Sequence, residues 1–220
     1  IDNSDTKFLV VDHDMLDVYQ GVAAKTPKVE RVMVNTLEAP SGFKVPKGDS
    51  SIYMRNLTKL QTLGCLFNNL GNSYTDMGNI EAALLVLQTA VQINPTLAES
   101  RANLGNVYLQ KGRIEDAIHE YQIALGINPG DAKTHNNLGN AYFRQDRMQD
   151  SISQYVQSLQ LDPNFVDAYQ NLAIAYSRQE KFGQAIAQLK QAIALKPENA
   201  SLYNQLGEIY FRTKGMFDRF

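Results

Sequence analysis

A single cysteine, Cys65, excludes an intrachain disulfide and any zinc site built from cysteines. Long apolar runs are missing as well: the longest is Ala82 to Leu87, six residues against the roughly 20 that a bilayer-spanning helix needs. Neither sign of charge dominates, since 21 Lys+Arg stand against 23 Asp+Glu in 220 residues, a formal net of −2. That balance excludes a generally basic surface for nucleic acid. With 44% hydrophobic residues, the chain also lacks the depleted composition of a disordered protein. There is no Gly-rich phosphate loop, no Gly-x-Ser-x-Gly turn and no Cys/His pair. The paired acids Glu115 and Asp116 read as the start of a helix, where negative charge favours the dipole. Around Asp12, His13, Asp14 and Asp17, a calcium loop would want an oxygen ligand and a glycine where Leu16 and Val18 stand. The residues therefore predict no enzyme, no metal and no cofactor. Because the chain begins at Ile1 and not Met, its opening is expected to have been removed, which leaves cytoplasmic and exported locations both open.

What is present is a repeat. Asn69-Leu70-Gly71-Asn72, Asn103-Leu104-Gly105-Asn106, Asn137-Leu138-Gly139-Asn140, Asn171-Leu172-Ala173 and Gln205-Leu206-Gly207 recur every 34 residues. Each continues with a Tyr: Tyr74, Tyr108, Tyr142, Tyr176 and Tyr210. Four units add small residues, Ala83, Ala117, Ser151 and Ala185, then Ala90, Ala124, Ser158 and Ala192, and close with Pro95, Pro129, Pro163 or Pro197. Spacings of three, four and seven put the Leu, Tyr and small residues on one helical stripe. Gly or Ala after the Leu lets a second helix approach, and Leu87, Tyr121, Tyr155 and Leu189 fill the space between. The residue before each Pro is pushed out of the helical region and ends the second helix. Two helices per unit follow.

On these residues the chain resembles the tetratricopeptide repeat (TPR) family. The resemblance implies an all-α fold, a right-handed α-solenoid of antiparallel helix pairs. Full repeats are expected at 64–97, 98–131, 132–165 and 166–199, with an incomplete fifth over 200–220. Residues 1–50 carry no such period and hold Gly21, Gly42, Gly48, Pro27, Pro40 and Pro46, so they read as an extended docking segment that can hold short strands. A lead-in helix is expected at 51–63, with Ile52, Tyr53, Leu57, Leu60 and Leu63 covering the first repeat.

In this family the first helix of each repeat lines a concave groove, and the residue before the Leu points into it. Here that column is Asn69, Asn103, Asn137, Asn171 and Gln205, with Asn72, Asn106 and Asn140 beside it. A carboxamide offers a donor and an acceptor together and so can pair with both groups of an extended backbone. The column is similar to the asparagine ladder of O-linked N-acetylglucosamine transferase. A second column, Arg144, Arg178 and Arg212, recurs near the ends of the same helices, where a cation also suits the dipole. The resemblance implies a non-catalytic scaffold for a protein or peptide partner, with no nucleic acid and no membrane span.

Two alternatives accompany that reading. One is a subunit that joins head to tail into a homo-oligomer or filament, pairing Phe8, Leu9, Val10 and Val11 with Leu202, Leu206, Tyr210 and Phe217. The other is the recognition arm of a larger glycosyltransferase. Head-to-tail joining rests on the expectation that Leu202, Leu206, Ile209, Tyr210 and Phe217 lack a covering helix, because residues 211–220 read as a turn and the beginning of a second helix.

Overall fold

The computed structural model describes the backbone of residues 9–11, 32–34 and 59–217, and side chains over 61–213. Leu9–Val11 (β1) and Val32–Val34 (β2) pair in parallel, Leu9 opposite Val32. All other elements among the described residues are helices. Residues 51–58 of the expected lead-in helix, and Phe8, lie outside the described residues, as do the side chains of Leu9, Val10, Val11 and Phe217.

The chain divides within a helix, at Val107/Tyr108, into two compact units. The first holds α1 (Lys59–Asp76), α2 (Ile80–Ile93) and α3 (Ala98–Gln110) as far as Val107. Its buried residues include Leu63, Phe67 and Tyr74 of α1 with Ala83, Val86, Leu87 and Ala90 of α2. A Cβ added at Gly71 would stand 2.5 Å from Leu87, so the small residue after the Leu is what lets α2 lie so close.

The second unit continues with α4 (Ile114–Ile127), α5 (Ala132–Arg144), α6 (Met148–Leu161), α7 (Val166–Arg178), α8 (Phe182–Leu195) and α9 (Ala200–Phe217). Tyr155 is the large filler between α5 and α6, and a Cβ on Gly139 would meet its ring at 2.6 Å. Leu189 takes the corresponding place beside Ala173 in a cluster with Val166, Phe182 and Leu202. The serines of α6 fit as expected of small residues: Ser151 and Ser158 are fully buried, and Ser158 Oγ donates to the Ala132 carbonyl at 2.7 Å.

Local signals explain the ends. Asn94, Asn128, Asp162 and Lys196, each before a proline, leave the helical region with ψ of 82°, 86°, 93° and 77°. Asn79 caps α2 and Asp131 caps α5. The turn within each pair needs one left-handed residue. Gly78 and Gly112 supply it, and then Asp146 and Glu180 do so at φ 59° despite their side chains.

Two expectations at the last helix are corrected. No turn occurs at 211–215, since α9 is one helix to Phe217. Nothing in that stretch breaks a helix outright, as Gly215 costs only about 1 kcal/mol, and no second helix follows among the described residues to reward a left-handed turn. Nor is its apolar stripe bare: Leu202 is fully buried and Ile209 is 5% exposed, both in the cluster with Leu189, and Leu206 packs partly against it. The spacing 202, 206, 209 turns these residues back onto the preceding pair. Leu202 is thereby removed from the expected assembly surface, whereas Tyr210 remains about half exposed.

Candidate interaction surface

The first-of-pair helices carry both predicted columns. Asn69 is exposed, while Asn103, Asn137, Asn171 and Gln205 are half-buried. Two of these amides are tied to the preceding first-of-pair helix. In the first unit Asn103 Nδ2 donates to Asn68 Oδ1 at 2.9 Å, and in the second Asn171 Nδ2 donates to Asn136 Oδ1 at 2.9 Å. Each bond spans 35 positions. Asn68 and Asn136 are themselves buried, and these bonds satisfy carbonyls that would otherwise cost free energy. At the corresponding position before Asn137 the sequence holds Ala102, whose side chain cannot take the part of Asn68 or Asn136, and Asn137 has interactions of its own. Of the flanking amides, Asn72 and Asn106 are half-buried, and Asn140 Oδ1 accepts from the Tyr155 hydroxyl at 2.7 Å.

The arginine column reaches back by the same interval. Arg144 Nη1 donates to the Leu109 carbonyl at 2.9 Å, in the last turn of α3 where helix carbonyls lack partners. Arg178 lies with Cζ 4.8 Å from the Phe143 ring centre and Nη1 3.7 Å from Asp146 Oδ1. Arg212 Nη1 donates to Ser177 Oγ at 2.8 Å and covers the Phe182 ring. All three guanidiniums remain exposed or half-exposed.

Sequence reasoning missed a cavity of about 140 Å³ in the second unit. Ile174, Ser177 and Arg178 of α7, Leu189 of α8, and Gln205, Glu208, Ile209 and Arg212 of α9 surround it. Its signal was available: the Asn72, Asn106, Asn140 column continues in register as Ile174 and Glu208.

Among the described residues no group of three His, Cys, Asp or Glu could hold a metal, and no helix is long and apolar enough to cross a membrane. His135 is held between Gln154 Oε1 at 2.8 Å and the Pro129 carbonyl at 3.1 Å. Burial is the main cause that raises the Cys65 thiol pKa, with Glu99 adding to it, so that sulfur is a poor nucleophile at neutral pH.

Stacked helix pairs whose first helices display amides and guanidiniums define a repeat scaffold for protein interactions. The chain belongs to the tetratricopeptide repeat family: a TPR repeat model matches residues 71–112, 105–146 and 175–214, and further tetratricopeptide repeat models match 132–165 and 155–187. Among solved structures, MamA is similar with 25% identity and a TM-score of 0.60, over 67% of this chain and 86% of that one. PilF of Pseudomonas aeruginosa is similar with 22% identity and a TM-score of 0.67, over 72% of each chain. The first TPR of Spaghetti (RPAP3), bound to the HSP90 peptide SRMEEVD, is similar with 23% identity and a TM-score of 0.52, over 54% of this chain and 94% of that one. No curated protein matches the chain.

Proposed function

We propose that this chain is a non-catalytic scaffold that holds an extended segment of another protein on the first-of-pair helices of its second unit, through the amides and arginines that the two columns place there. The observation that carries this is that the display is fixed in advance: Asn171 on Asn136, Arg144 on Leu109 and Arg212 on Ser177. Side chains already held lose little rotamer freedom when a partner arrives. They also keep capacity, because a carboxamide that donates once still has a second N–H and its carbonyl, and a guanidinium has five N–H groups. The RPAP3 structure, a peptide complex, lends support in that the fold accommodates such a ligand.

The test is selection of phage-displayed random dodecapeptides on the purified chain, with affinities read by fluorescence anisotropy. Joint replacement Asn171→Ala and Arg178→Ala is expected to weaken the selected peptides at least tenfold, in a protein whose circular dichroism is unchanged. Lys190→Ala, on an exposed position of α8, should leave them unaffected. Peptides indifferent to the α7 variant exclude binding at this surface.

A further inference from the structure

We infer that the α7–α9 cavity is a socket for a side-chain carboxamide, a glutamine or asparagine of the bound segment. This rests on the binding mode just proposed and assigns it a specificity.

The cavity is bipolar. Arg178, Arg212 and Glu208 all belong to its lining, and Asp146 stands 3.7 Å from Arg178 Nη1. Two guanidiniums and two carboxylates leave the neighbourhood with no net charge. An incoming carboxylate finds its donors but meets Glu208. An incoming ammonium finds Glu208 but meets two guanidiniums. Neither sign of charge is desolvated here without a like charge close by, and that cost grows as water is displaced. A carboxamide brings one acceptor and two donors without charge, and so matches both halves of the lining.

Gln205 adds a second, independent observation. It lines the cavity, and its Oε1 is buried with no hydrogen-bond partner among the described residues. Buried acceptors are rarely left unmatched. The last torsion of a glutamine is broad, and a rotation about it would present that oxygen to an N–H entering the cavity. A carboxylate has no hydrogen to give it.

Size and wall chemistry agree. At about 140 Å³ the cavity is well above the roughly 10–15 Å³ that a single water requires, and so has room for a side chain of several non-hydrogen atoms. Ile174, Leu189 and Ile209 provide apolar wall for its methylenes, while the tip reaches the polar groups.

The experiment uses the phage-selected peptides on the whole chain. The enriched sequences are expected to share a Gln or Asn at one fixed position. Replacing it by Glu, Lys or norleucine should weaken binding at least tenfold, since a site built around hydrogen bonds rejects analogues that leave its groups unpaired. In the Gln205→Leu protein the penalty for norleucine should shrink to less than threefold, a readout that a general loss of stability does not produce. Peptides that lose affinity with the Asn171→Ala, Arg178→Ala protein yet accept Glu, Lys or norleucine at every position overturn the carboxamide socket and leave groove binding standing. Peptides indifferent to both variants overturn groove binding and the socket with it.

Discussion

The amide column and the arginine column begin as the same observation, one residue type recurring every 34 positions, and the structure separates them. Asn103 and Asn171 each find a carboxamide one repeat back, on Asn68 and Asn136, whereas the register before Asn137 holds Ala102. The guanidiniums reach back over the same interval to three unlike groups: a carbonyl at Leu109, a ring at Phe143 and a hydroxyl at Ser177. The short amides form this particular cross-repeat bond where a carboxamide stands in register, at Asn68 and Asn136. A long, five-donor side chain finds something in every repeat. Uniformity of a column therefore says little about whether its members are free to bind. Reach and partner decide that.

Three substitutions sharpen this contrast. The largest effect belongs to Asn171→Ala, which strands the side-chain carbonyl of the buried Asn136. A loss of about 1–3 kcal/mol is expected in urea melts, and the double variant with Asn136→Ala should lose less than the sum of the two single variants. Tyr155→Phe comes next, removing the bond to Asn140 at about 0.5–1.5 kcal/mol near neutral pH. It carries a pH signature as well. Burial pushes the Tyr155 hydroxyl up to about 12 from its ordinary value of 10, so the folded chain holds that proton more tightly than the unfolded one. The corresponding stability is complete below pH 10 and is lost as pH rises from 10 toward 12. Tyr155→Phe should flatten that part of the denaturation curve. Smallest is Arg144→Ala, at about 0.3–1 kcal/mol for a cation on a helix C-terminus. Its cost should fall with added salt, whereas that of Asn171→Ala should not.

Most of the fold was legible because it repeats. Leu, Tyr and the small residues return in register, and a residue before Pro has little choice but to leave the helix, as Asn94 through Lys196 do. The course of α9 past Arg212 was not legible, because the sequence there forbids neither a turn nor a helix, and the choice depends on what packs alongside. Left-handed Asp146 and Glu180 escaped notice for a related reason: only Gly78 and Gly112 announce such a turn by residue type. Of the candidate surface, the columns were visible and their tethers were not, because each tether joins one repeat position to the residue before the same position one unit back. The cavity was signalled only by a break, Ile174 and Glu208 where an asparagine was due.

The 35-residue bonds of Asn103, Asn171, Arg144 and Arg212 bear on how the chain comes into being. Interactions of that reach never go beyond the neighbouring repeat, so no long loop has to close before one of them forms. As the polypeptide leaves the ribosome, each first-of-pair helix can be latched to its predecessor once little more than one repeat of new chain has emerged. Folding can then proceed repeat by repeat, and the steps that join successive first-of-pair helices also set these amides and guanidiniums in place.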